Sequence, residues 1–82
     1  MTRNLNNWGY REVTDFLTEN GFRFLEPLKG SHQAWVKLSD KGEPGWIVEV
    51  SFRSDSYPVG TMKTMIKDSG IDEKRWRKWA RS

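Results

Sequence analysis

Apolar positions recur along this chain in two different periods, and each change of period marks a new element. In "YREVTDFLTENG", Val13, Phe16 and Leu17 fall at i, i+3 and i+4, which places them on one face of a helix over residues 8–20. Asn6 or Asn7 can cap its start, and Gly21 supplies the left-handed stop. From Phe22 the period drops to two. In "FRFLEP", Phe22 and Phe24 flank Arg23 as in a half-buried strand, and Pro27 ends it. A second strand, "HQAWVKL", sets Ala34, Val36 and Leu38 on one face and Gln33, Trp35 and Lys37 on the other. Because Trp35 is apolar too, alternation leaves open which face turns inward. The turn cluster "SDKGEPG" leads into a third strand, "WIVEVSF", with Trp46, Val48, Val50 and Phe52 on one face. The helical period returns in "PVGTMKTMIKDSG", where Met62, Met65 and Ile66 share a face and Gly70 is the stop.

Helix, three strands and helix in that order predict an α+β domain. A three-stranded antiparallel sheet buries one face under two helices and leaves the other to solvent or a ligand. Beyond it, Asp72 can cap a short third helix. At 100° per residue its Trp76, Trp79 and Ala80 gather on one side, and Lys74, Arg75, Arg77, Lys78 and Arg81 cover the other. The reading is one domain over residues 1–71 with a flexible lead at 1–6. A basic amphipathic helix over 72–82 then packs on that domain through its tryptophans.

Composition sharpens this picture in two ways. A chain of 82 residues has room for one small core, and five Trp, four Phe and two Tyr are what fill it. The absence of cysteine excludes a disulfide framework and a thiolate metal site, and one histidine is too few for a histidine-based one, so no metal or cofactor is expected. No apolar run approaches the length of a membrane span and the start has no apolar signal core, so the expectation is a soluble cytosolic protein, monomeric when free. The net charge of +3 is unevenly held. Residues 1–71 carry nine Lys/Arg against nine Asp/Glu, and residues 72–82 carry five against two, which points the tail towards a polyanion or an acidic partner.

The single histidine, His32, stands just before the second strand in "LKGSHQ". A lone histidine beside a strand is by itself an ordinary structural or surface residue. Its neighbours add chemistry: Lys29 brings a positive charge, Gly30 lets an anion approach the backbone, and Ser31 adds a hydroxyl, the ingredients of a phosphate contact.

Five pieces in order, "ENGF", "KGSH", Val48-Glu49-Val50, Pro58-Val59-Gly60-Thr61 and Ser69-Gly70-Ile71, make residues 10–71 resemble the HicA (YcfA-like) family of small toxins from toxin–antitoxin pairs. The resemblance implies a fold like the double-stranded-RNA-binding domain and an endoribonuclease that cleaves mRNA and arrests translation. It also implies a HicB-like antitoxin partner covering the site, with the family histidine mapping onto His32. The chain departs from that pattern where relatives carry a further polar residue or histidine after the motif, and a Pro or His after V-x-V. Here those positions are Gln33, Ser51 and Phe52, which leaves His32 without an imidazole partner. The basic tail lies beyond the family pattern.

For such a ribonuclease the simplest chemistry is attack of the ribose 2′-hydroxyl on the adjacent phosphorus. His32 would be the base, while Lys29 and the Gly30 and Ser31 amides hold the phosphate. The group that protonates the leaving oxygen is unassigned. Lys37, Arg53, Lys63 and Lys67 are candidate RNA contacts, the last two sharing a helix face at i, i+4. Trp35 would stack on a base if it faced solvent, and packing is its other role. The rival readings are a non-catalytic RNA-binding module of the same fold and a protein-binding adaptor.

Overall fold

The computed structural model describes residue 5 and residues 7–79. They form α1 (Tyr10–Glu19), β1 (Phe22–Pro27), β2 (His32–Leu38), β3 (Pro44–Ser51), α2 (Val59–Ser69) and α3 (Glu73–Trp79). The strands make one antiparallel sheet in the order β1-β2-β3.

Register decides which face is buried. Trp35 stands opposite Phe24 on one side and Val48 on the other, and Gln33 stands opposite Val50. Directly opposed residues share a face. Phe22, Trp35, Val48 and Val50 therefore turn together towards Val13, Phe16 and Leu17 of α1 and Met62, Met65 and Ile66 of α2, and these residues form the core. The parity that alternation left open is thus settled for Trp35, which is only 9% exposed. Its Nε1 donates to Gln33 Oε1 at 3.0 Å, and the same oxygen accepts from the Tyr10 hydroxyl at 2.9 Å. A base cannot stack on this ring. Ala34 and Val36 are buried as well but belong to the opposite face, on a central strand flanked by both neighbours.

The boundaries differ from expectation where side chains override periodicity. α1 starts at Tyr10, not Trp8, and its N-cap is Gly9, whose N–H donates to Glu12 Oε1 at 2.8 Å. Asn7 is not the cap, and Asn6 lies outside the described residues. Trp8 instead leaves the helix and fills the core, as does Leu5, which the sequence places in a flexible lead. β3 begins at Pro44 and ends at Ser51. Of its four expected inward residues Val48 and Val50 are buried, while Trp46 is 49% and Phe52 60% exposed.

α3 is held at its start and along its apolar side. Lys74 N–H donates to Asp72 Oδ1 at 3.2 Å, which caps the helix. Trp76 is fully buried, its ring 4.2 Å from Phe16 and 5.5 Å from Trp8. Its Nε1 donates at 3.3 Å to the buried Ser69 hydroxyl, which itself donates to Ile66 O and accepts from Ile71 N. Trp79, half-buried, stacks on Trp8 at 5.8 Å. Ala80 and Arg81, expected on the two faces of this helix, lie outside the described residues. Among the described residues no helix is long and apolar enough to cross a membrane.

Candidate active site

His32 is the first residue of β2, delivered there by a tight turn. Leu28 N–H donates to His32 O at 2.7 Å and His32 N–H to Lys29 O at 3.4 Å, closing the loop over Lys29, Gly30 and Ser31. Gly30 has φ +70°, a backbone conformation that side chains disfavour, so the glycine is required by the turn itself. His32 shares the parity of Ala34 and so belongs to the sheet face away from the core.

On that face the antiparallel register puts Ser51 opposite His32 and Glu49 opposite Ala34, which makes Glu49 the diagonal neighbour of the histidine. The two side chains meet: His32 Nδ1 lies 2.6 Å from Glu49 Oε2. Both are about half exposed, 49% and 58%. With Nδ1 occupied by a carboxylate, Nε2 is the ring nitrogen left for a substrate.

The pair borders a cleft of about 290 Å³ lined by His32, Glu49 and Ser51 of the outer sheet face and by Thr61, Thr64, Met65 and Asp68 of α2. The cleft wall at Ser51 is braced from behind. The buried Tyr57 hydroxyl donates to Ser51 O, and burial, reinforced by the Tyr10 hydroxyl, pushes the Tyr57 pKa up to about 12.

The candidate cations are placed less favourably. Lys29 is exposed on the turn three residues before His32. Lys37 lies five residues along β2, about 17 Å from His32 at the rise of a strand, with its stem against Gly21. Arg53 is engaged by Asp55, with Nε at 2.7 Å from Oδ1 and Nη2 at 3.0 Å from Oδ2, and its guanidinium lies 5.8 Å from the centre of the Tyr57 ring. That hydrogen-bonded pair holds the Asp55 carboxyl below, and the Arg53 guanidinium above, their ordinary values. Lys63 and Lys67 are exposed on α2, but the residues that α2 contributes to the cleft are Thr61, Thr64, Met65 and Asp68. The fold therefore gathers Lys29, Gly30, Ser31 and His32 at one end of the sheet and leaves Lys37 at the other.

Sequence reasoning missed Glu49 and Asp68. Glu49 reads as the outward spacer of a V-E-V strand, and only the hairpin register, counted back from the turn after Leu38, would have set it beside His32. Asp68 carries no local signal beyond a helix position. No group of three or more metal-ligating side chains occurs among the described residues. Comparison with known proteins finds no family model that matches the chain and no matching curated relative.

Proposed function

We propose that the chain is a metal-independent endoribonuclease that cleaves mRNA, the toxin of a toxin–antitoxin pair, with a HicA-like, double-stranded-RNA-binding-domain-like fold. The observation that carries the reading is the His32–Glu49 pair at the mouth of a cleft. An accessible imidazole is held by a carboxylate at one nitrogen and open at the other, as proton transfer at a substrate oxygen requires. The exposed Lys29 and the Gly30–Ser31 turn beside it support a phosphate contact, and the α-β-β-β-α order with both helices on one face supports the fold assignment. In this reading a HicB-like antitoxin silences the protein by covering His32.

The test is RNA cleavage and growth arrest by the wild type and by His32→Ala, with thermal unfolding measured on the same preparations. A positioned acid or base contributes about 10²–10⁴ in rate, and a half-exposed residue carries little core packing, so activity is lost and the unfolding temperature is retained. A folded His32→Ala protein with full activity overturns the reading.

A second reading is favoured by one feature. Among the described residues no lysine or arginine lines the cleft, and Glu49 and Asp68 do, as suits a site that docks a cationic protein segment. A wild type with no affinity for RNA selects this adaptor reading.

A further inference from the structure

Cleavage by the ribose 2′-hydroxyl needs two proton transfers, one away from the attacking oxygen and one onto the leaving oxygen, and a single imidazole cannot make both in the same step. The side chains lining the cleft offer three titratable groups: His32, Glu49 and Asp68. Glu49 is committed to His32 Nδ1 at 2.6 Å. Asp68 is exposed on the α2 wall, and among the described residues its carboxylate has no ion pair or hydrogen bond. A carboxylate offers acceptor oxygens and no proton of its own, which suits Asp68 to the base. The donor must then be the other unspent group, His32 Nε2.

From this division we infer that Asp68 is the general base and His32, held by Glu49, the general acid of the ribonuclease reaction. The inference rests on the ribonuclease reading and reverses the role that sequence alone suggests for His32. The 2′-oxygen forms its bond to phosphorus as its proton passes to an Asp68 carboxylate oxygen. The bond between phosphorus and the 5′-oxygen breaks, its electron pair going to that oxygen, which takes the Nε2 proton of the His32 imidazolium. The products are a 2′,3′-cyclic phosphate and a 5′-hydroxyl, and proton exchange with water returns Asp68 to carboxylate and His32 to imidazolium. The two groups line the same cleft from different elements, Asp68 from α2 and His32 from β2, so they can act on separate oxygens of a phosphodiester bound in it.

The deciding experiment uses an oligoribonucleotide whose scissile link, mapped first with the wild type, carries sulfur in place of the bridging 5′-oxygen. A thiolate leaves without a proton, so this substrate has no need of the acid. On ordinary RNA, His32→Ala and Asp68→Asn each lose about 10²–10⁴ in rate. On the sulfur-bridged RNA, His32→Ala recovers to within about tenfold of the wild type, as expected of a lost acid, while Asp68→Asn stays impaired. The opposite pattern, rescue of Asp68→Asn but not of His32→Ala, overturns the inference and makes His32 the base. Full activity of Asp68→Asn on ordinary RNA overturns it as well, with the ribonuclease reading left standing. A wild type that cleaves neither substrate overturns both.

Discussion

Gly70 lies flat against the indole of Trp46: a Cβ built on this glycine would fall 2.7 Å from Trp46 Cε2 and Cζ2. Gly70 also has φ +71° and closes α2 as its left-handed cap. Two physical demands therefore meet at one residue. The left-handed conformation costs an L-residue roughly 1–2 kcal/mol, and a methyl group would have to displace the half-exposed ring. Gly70→Ala is expected to destabilise the protein by about 2–3 kcal/mol, and by only about 1–2 kcal/mol in a Trp46→Ala background where the ring is gone. Denaturant unfolding of the four proteins of this cycle checks it. Equal costs in both backgrounds would leave the ring contact with no energetic role.

The His32–Glu49 pair predicts a graded response at position 49. Glutamine can still accept the Nδ1–H and keep the ring oriented, whereas alanine leaves the imidazole free to rotate. RNA cleavage is expected to fall at least tenfold for Glu49→Ala and less for Glu49→Gln, with neither loss exceeding that of His32→Ala. Stability should move by no more than about 1 kcal/mol, since both side chains are solvent-exposed. Wild-type turnover by Glu49→Ala would remove the pair from the mechanism.

How far these features could be read in advance depends on the range of the interaction that sets them. The bounds of β1 and β2 follow from local alternation closed by Pro27, Gly30 and the turn after Leu38. The Trp76 side of α3 follows from helical periodicity in the same way. What escaped was set across the fold. Trp8 satisfies a helical pattern yet is drawn into the core against Phe16 and Trp76, so that Glu12 caps Gly9 and α1 starts later. Trp46 and Val48 share a face of β3, but Trp46 stays half exposed, its ring against Gly70 at the end of α2. At the site, Lys29 to His32 are contiguous and so were visible. Glu49 reaches His32 only through strand register, and Asp68 joins the cleft only through the placement of α2.

Tyr57 predicts a stability loss at high pH. Its pKa is raised from an ordinary 10.0 to about 12 by burial. The unfolded chain therefore ionises first. The tyrosine's contribution to stability is complete below pH 10, declines as pH rises from about 10 to about 12, and is flat above. Tyr57→Phe should abolish this part of the pH dependence and cost about 1 kcal/mol at neutral pH through the lost bond to Ser51 O. Urea unfolding of both proteins at pH 7, 10 and 12 provides the comparison, with the wild type falling more steeply. Parallel curves would contradict the assignment.

The C-terminal cations divide by what they already hold. Arg75 Nη2 donates to Asn20 Oδ1 at 2.9 Å, and Arg77 pairs with Glu73 at 2.8 Å, so both are partly spent within the protein. Lys74 and Lys78 are exposed and, among the described residues, make no ion pair. If the tail contacts RNA, these two lysines carry most of the counterion release among the described tail residues. Lys74→Gln with Lys78→Gln should weaken binding alike for all RNA sequences. The slope of log affinity against log salt should fall by about 0.7 for each lost phosphate contact on a single strand. Arg75→Gln and Arg77→Gln should change the slope less. Stability follows the opposite face. Trp76→Ala is expected to cost about 3–5 kcal/mol because the ring is fully buried, and Trp79→Ala less because it is only half-buried. RNA affinity measured across salt, alongside denaturant unfolding, separates the two faces. A slope unmoved by the double lysine variant would assign the charge excess of the tail to something other than RNA, and an acidic protein surface would be the next partner to titrate.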